Sequence, residues 1–91
     1  MFAVTRFRTP DDAAGVLDAD VALLLDALRA RPGFRDGFFG RAADEEGLAA
    51  LVTTWEGVGA YRRALSAAEV KTAGAPVWLY AVDEPGAYLT D

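Results

Sequence analysis

The sequence predicts an α+β domain in which strands and helices follow one another in the order β-α-β-β-α-β. Three observations support this prediction. Short apolar stretches with a period of two, typical of strands, occur near both ends of the chain. A stretch from about Asp18 to Ala30 has the period of an amphipathic helix. Finally, the segment Leu48–Ser66 reads as a buried strand that runs directly into a second helix.

The first strand and the first helix occupy the chain up to Pro32-Gly33. Phe2–Arg8 alternates between two faces, as a strand requires. Thr9–Asp12 reads as a helix start, with a capping hydroxyl, a proline and two carboxylates near the positive end of the helix. The firm apolar stripe of the helix consists of Leu17, Val21, Leu24, Leu25 and Leu28. We therefore expect a helix over Asp18–Ala30, with Asp11 as its earliest start.

The second and third strands are expected in the middle of the chain. Phe34–Ala42 is interrupted by Gly37 and Gly40, which indicate a bulge or a close backbone approach. The acidic turn Ala43–Gly47 then favours a hairpin. The third strand, Leu48–Trp55, is apolar or small on both faces apart from its threonines, which indicates burial on both sides.

A second helix and a last strand complete the predicted order. The helix is expected to begin at Glu56-Gly57 and to restart near Ser66–Glu69, which has the spacing of a capping box. Gly74 is expected to end it. Pro76–Val82 is apolar on both alternating faces and is predicted to be the last strand, with Ala87–Asp91 as a tail.

Right-handed connections arrange these elements as a four-stranded antiparallel sheet with both helices on one face, the ferredoxin-like arrangement. The other face is left uncovered, although three strands are apolar on both sides. Monomers rarely expose an apolar face of that size. We therefore expect a homodimer in which a second copy covers the sheet, with residues 1–91 forming one domain.

Composition and charge argue against several functions. The net charge of −5 argues against a nucleic-acid partner, including an RNA-binding role for the aromatic stretch Asp36–Gly40. The absence of cysteine and histidine removes the usual thiolate and imidazole groups, so we expect no metal site. No apolar run approaches the roughly 20 residues of a membrane span, and a cytoplasmic location without membrane contact is expected.

Three segments resemble the antibiotic biosynthesis monooxygenase family of dimeric α/β barrels. They are VTRF at Val4–Phe7, RPGF at Arg31–Phe34 and, above all, LVTTWEGVGAYRRALSAAEVK at Leu51–Lys71. In that family, a strand ending in Trp-Glu leads into a helix opened by Ala-Tyr or Ala-Phe. The closing VDEPGAY also resembles the end of small actinobacterial members. The resemblance implies two sheets packed face to face across a dimer, with a cleft between sheet and helices in each subunit.

The resemblance also implies a small aromatic substrate and a reaction that needs no cofactor. Certain members oxidise polyketide phenols to quinones because the ionised substrate itself reduces O₂ in a dry pocket. The family associates this reaction with an Asn, a Trp and a Tyr, whose positions fall on Leu51, Trp55 and Tyr61. Trp55 and Tyr61 are therefore the candidate catalytic residues, as a wall and a hydrogen-bond donor. Leu51, which lacks the polar group, and Thr53 are the candidate substrate contacts.

Other interpretations stay open. A Trp at the end of a buried strand and a Tyr on the inner face of a helix are more often core residues than catalytic ones. The chain could instead be a non-catalytic dimeric ligand-binding or accessory protein whose cleft is filled by side chains, or a subunit that stabilises a neighbouring biosynthetic enzyme. Haem-degrading relatives need a histidine, which the chain lacks. A dinucleotide fingerprint would need a third glycine where Arg62 stands.

Overall fold

The computed structural model of the chain describes residues 1–10 and 12–90 as two layers, a four-stranded antiparallel sheet and three helices on one of its faces. The elements are β1 Phe2–Arg8, α1 Ala14–Arg29, β2 Phe34–Arg41, β3 Leu48–Trp55, α2 Val58–Ser66, α3 Ala68–Trp78 and β4 Ala87–Tyr88. The strand order is β2-β3-β1-β4, so the predicted ferredoxin-like arrangement is confirmed. None of the helices in the described part of the chain could span a membrane.

The central strand β3 organises the sheet. It pairs antiparallel with β1, where Phe2 lies opposite Thr54, and with β2, where Phe38 lies opposite Val52. Every second residue of β3 is buried, beginning at Ala49 and ending at Trp55. This alternation places one set of side chains against the helices and the other on the outer face of the sheet.

The close backbone approach predicted for the glycines of β2 is present at Gly37 and absent at Gly40, and the strand has a register shift before both of them. The register against β3 shifts between Phe34 and Asp36, as a bulge does. At Gly37, an added Cβ would lie 2.5 Å from Cδ1 of Leu25, so this glycine allows α1 to approach the strand closely. Around Gly40, in contrast, an added Cβ would meet nothing within 4 Å.

The apolar stripe of α1 forms the centre of the core, as predicted. All five of its residues are buried, and they pack against the inner residues of the sheet, such as Phe7 and Trp55. The helix begins later than the predicted capping sequence. Its N-cap is Ala13, whose side chain has no polar group and makes no capping bond. Thr9 instead donates its backbone N–H to the carbonyl of Gly47. The predicted earliest start at Asp11 lies outside the described residues.

The predicted last strand at Pro76–Val82 is wrong. The helix expected to end at Gly74 instead continues through Pro76 to Trp78, after the restart at Ala68 that the sequence indicated. Gly74 lies inside this helix. The indole of Trp78 occupies the space where a side chain at position 74 would lie, which explains why a glycine stands there. Val70 and Val77, seven positions apart, are both buried on one helical face. The burial of these two side chains outweighs the strand-like alternation of Pro76–Val82.

The predicted tail contains the fourth strand. Ala87–Tyr88 pairs with the start of β1, and the ring of Tyr88 stacks on Phe2 with centroids 5.2 Å apart. Further along the same edge of β1, Ala81 forms an isolated bridge with Phe7. The C-terminal segment therefore covers this edge in two short stretches, and the predicted topology holds although the strand residues differ.

Candidate functional site

Trp55 ends β3 and lies almost entirely inside the protein, with 1% of its surface exposed. Its indole Nε1 donates a hydrogen bond of 2.8 Å to Oγ1 of Thr53, which is two residues earlier on the same face of the strand. The ring of Phe34 packs edge-on against the indole, with centroids 5.2 Å apart. The indole is thus fixed on its polar side by Thr53 and on its apolar side by Phe34.

Tyr61 lies on α2, directly after the β3 strand. Its ring centroid is 5.7 Å from that of Trp55, and its side chain is half-buried against the core. The close approach of α2 depends on Ala60 and Ala64, two small buried residues on the inner face of the helix. Among the described residues, the Tyr61 hydroxyl has no hydrogen-bond partner. It is therefore available to a ligand.

Partial burial raises the pKa of the Tyr61 hydroxyl above its ordinary value. The cause is desolvation, which disfavours the charged phenolate. At neutral pH, Tyr61 is therefore protonated and able to donate a hydrogen bond.

The raised pKa of Tyr61 predicts a dependence of stability on pH. Because the folded pKa exceeds the unfolded value of about 10, the neutral hydroxyl contributes stability that is fully present below pH 10. That contribution is lost as the pH rises through the folded pKa. We expect the free energy of unfolding of Tyr61→Phe to fall less steeply than that of the wild type between about pH 9 and 11. Urea unfolding at several pH values checks this, and parallel curves would contradict it.

The four residues predicted from the sequence lie in one continuous patch. Leu51, Thr53 and Trp55 follow one another on the helix-facing side of β3, and Tyr61 packs on Trp55. The three strand residues are 4%, 3% and 1% exposed. Only Tyr61 reaches solvent to a substantial extent, so any ligand would first meet its hydroxyl.

Two cavities lie elsewhere on the described surface. One of about 720 Å³ lies between the start of α1 and the acidic turn that joins β2 to β3. The other, of about 330 Å³, is a groove on the outer face of the sheet that includes Phe38, Leu48 and Val52. Sequence reasoning treated the acidic turn only as a hairpin connection. The contact between the acidic turn and Thr9-Pro10 was not predicted, because the sequence carries no signal for that long-range contact.

Within residues 1–10 and 12–90, no three carboxylates are grouped so that they could hold a metal ion. The carboxylates are instead distributed over the helices and turns, and several are paired with arginines.

No family model matches the chain, and no curated protein matches it. Solved structures do match, and they share its ferredoxin-like α+β fold. One is SnoaB, a cofactor-independent oxygenase from Streptomyces nogalater, with a TM-score of 0.86, 20% identity, and coverage of 99% of this chain and 91% of that one. Another is Rv0793 from Mycobacterium tuberculosis, with a TM-score of 0.76, 22% identity, and coverage of 94% and 86%.

A third match is a protein from Nitrosomonas europaea that is provisionally named as an antibiotic biosynthesis monooxygenase. Its TM-score is 0.76 at 14% identity, with coverage of 96% of this chain and 92% of that one. At these identities the similarity establishes a common fold. The chain therefore has the fold of the antibiotic biosynthesis monooxygenases, as its resemblance to that family predicted.

Proposed function

We propose that the chain binds a small aromatic molecule beside Trp55 and Tyr61 and oxidises it with O₂ without a metal or an organic cofactor. The observation that carries this proposal is the Tyr61 hydroxyl, which is partly buried, protonated and without a partner in the described structure, next to a fixed indole. The shared fold with a cofactor-independent oxygenase supports the same function.

Each of the four residues has a role in this proposal. Tyr61 donates a hydrogen bond to the substrate oxygen and stabilises the anion that forms as the substrate ionises. Trp55 and Thr53 are 1% and 3% exposed, so a substrate reaches them only when Tyr61, which packs on Trp55, moves aside. The edge of Trp55 then contacts the aromatic ring of the substrate. Thr53 accepts the indole N–H and retains its own hydroxyl hydrogen for a ligand. Leu51 supplies only an apolar contact, which leaves Tyr61 as the main donor.

The proposed reaction balances without an external reductant. A ring CH₂ group of the substrate loses its two hydrogens and becomes a carbonyl. One oxygen atom of O₂ becomes the carbonyl oxygen, and the other leaves as water with those two hydrogens. The electrons come from the ionised substrate, so the protein has to supply orientation, a dry environment and the Tyr61 hydrogen bond.

A second candidate function is a non-catalytic dimeric ligand-binding or accessory protein. The near-complete burial of Leu51, Thr53 and Trp55 favours it, because these side chains fill the space that an open cleft would offer. In that case Tyr61 packs on the core and its hydroxyl meets only water.

Oxygen consumption separates the two candidates. The purified protein is incubated with a panel of anthrone-like phenols, and O₂ uptake is recorded against buffer and against heat-denatured protein. Uptake above both controls, with a quinone as product, supports the oxygenase. Uptake equal to that in buffer for every compound rejects the oxygenase and leaves the accessory function.

The partner in this proposal is a second copy of the chain, bound through the outer face of the sheet. Phe38 on this face is 62% exposed, and it borders the groove that also contains Val52. An interface there should exceed roughly 1,000 Å² and be apolar at its centre.

A charge on the outer face should therefore dissociate the dimer. Phe38→Asp is expected to sediment as a monomer at micromolar concentrations at which the wild type is a dimer, because it buries an unpaired carboxylate in the interface. Leu23→Asp is a matched control, since Leu23 is 63% exposed but lies on α1. Monomeric wild-type protein, or equal effects of the two variants, would contradict this interface.

A further inference from the structure

The cavity of about 720 Å³ lies at the opposite end of β3 from Trp55. Leu48 at the start of β3 borders it, and Trp55 ends the same strand. At about 3.3 Å per residue, the two ends of the strand are about 23 Å apart. A ligand in this cavity would therefore not touch the patch around Trp55 and Tyr61, and the cavity needs its own explanation.

One part of the cavity lining is apolar. Leu17 of α1 and Ala49 of β3 are almost completely buried beneath it, and the half-buried residues Ala14 and Leu48 contribute accessible apolar surface. The volume falls within the range of roughly 300 to 1,000 Å³ that is typical of small-molecule sites. An aromatic ring with a short side chain fits such a space.

Backbone contacts hold the cavity wall in place. The N–H of Thr9 donates to the carbonyl of Gly47 at 2.9 Å, and the N–H of Ala42 donates to the carbonyl of Leu48 at 2.8 Å. Gly47 has a φ of 77°, and a Cβ there would lie 2.8 Å from the Thr9 carbonyl oxygen. The acidic turn is thus joined directly to the segment before α1, and the wall does not depend on flexible side chains alone.

The charges around the cavity are unequal. Asp18, Glu45 and Arg41 line it; Asp18 forms an ion pair with Arg41, and Glu45 forms one with Arg8 outside the cavity. Asp44 and Glu46 line it too, but neither takes part in a salt bridge within the described residues. Two uncompensated carboxylates therefore stand at the rim, beside the apolar part of the lining.

We propose that this cavity binds a small amphipathic cation, in which an aromatic ring or short alkyl chain carries one ammonium group. The apolar body lies over Ala14 and Leu48, where it removes apolar surface from water. The ammonium group lies at the rim, near Asp44 and Glu46. An anion of the same shape is repelled by the same two carboxylates.

Titration of ¹⁵N-labelled protein with 2-phenylethylammonium tests this proposal, with 3-phenylpropionate as the anionic probe. We expect saturable amide shifts in residues 9–18 and 41–49. We expect the ammonium probe to bind about tenfold more tightly than the carboxylate, because two exposed charges at close range each contribute a few-fold. The preference should shrink as salt is added, since screening weakens exposed charges.

Paired substitutions identify the charges responsible. Asp44→Asn combined with Glu46→Gln should remove the preference for the cation while leaving the shape of the cavity. Asp83→Asn combined with Glu56→Gln removes the same formal charge from exposed residues outside the cavity, and it should retain the preference. All four positions are exposed, so the amide spectrum of each variant should keep the dispersion of the folded wild type.

Three results would overturn the proposal. The first is the absence of saturable shifts with the ammonium probe at millimolar concentration. The second is a set of shifts centred on Trp55 and Tyr61 instead of the cavity. The third is a missing charge preference in the wild type or one that does not depend on Asp44 and Glu46, seen as equal binding of the two probes or as a preference that the double substitution leaves unchanged. None of these results depends on oxygen consumption, so the cavity is tested separately from the oxygenase.

Discussion

Replacing Gly33 with alanine should lower the free energy of unfolding by about 3 kcal/mol. Gly33 has a φ of 88°, a left-handed conformation that costs other residues about 1 to 2 kcal/mol. An added Cβ would also lie 2.5 Å from Cβ of Ala60 on α2, and such overpacking costs about 1 to 3 kcal/mol. The Gly33 carbonyl accepts the N–H of Glu56 at 2.7 Å, so the turn cannot move away without losing that bond. Urea unfolding measures the difference.

Two further variants make this expectation specific. Gly15→Ala is the control, because a Cβ there meets nothing within 4 Å and α1 should gain roughly 0.5 to 1 kcal/mol. Ala60→Gly in the Gly33→Ala background should recover part of the loss by relieving the overlap. A Gly33→Ala protein as stable as the wild type would show that α2 does not approach the turn so closely.

Replacing Tyr61 with phenylalanine should reduce oxygen uptake about a hundredfold, if the chain is an oxygenase. The substitution removes one hydrogen-bond donor to a developing anion and keeps the ring that packs on Trp55. A loss of this size corresponds to about 3 kcal/mol in the activation barrier. The melting temperature near neutral pH should barely change, since the hydroxyl has no partner among residues 1–10 and 12–90. Oxygen uptake and thermal unfolding are measured on the same preparations.

Two comparisons distinguish a role in catalysis from a general loss of structure. Tyr80→Phe removes a hydroxyl from another half-buried tyrosine and should leave oxygen uptake unchanged. Trp55→Phe should weaken substrate binding more than it slows the turnover of bound substrate, because the indole orients the ring. Unchanged uptake in Tyr61→Phe would exclude this hydroxyl from the reaction. A lowered melting temperature without any uptake would leave Tyr61 as a packing residue.

The sequence predicted those parts of the fold in which local pattern and burial agree. The stripe on α1 and the strand Leu48–Trp55 have apolar periods that match their final surroundings. The prediction of a strand at Pro76–Val82 was wrong because an alternating apolar run of that length fits either a strand or a buried helix end. Contacts with residues distant in the chain favour the helix over the strand. One of them is the stacking of Trp78 on Phe7, with ring centroids 6.4 Å apart, which no local pattern encodes.

The proximity of the candidate residues could be predicted from the sequence, and their exposure to solvent could not. The family resemblance pointed to Leu51, Trp55 and Tyr61, and the structure brings these residues into one patch. The spacing of Thr53 and Trp55 predicts that they share a face of the strand, which is the arrangement that their hydrogen bond requires. The amount of space beside them depends on how three helices pack on the sheet, which a single sequence does not specify.

The position of β1 within the sheet has a consequence for synthesis. Its partners are distant in the chain, because Phe2 pairs with Thr54 on one side and with Tyr88 on the other. β1 is synthesised before both of its partners, and it has no native neighbour to pair with until β3 has been added. The hairpin of β2 and β3, whose contacts are more local, is free to form before it. During translation, β1 therefore lacks its native neighbours, and Phe7 lacks its native packing, until β3 has been synthesised.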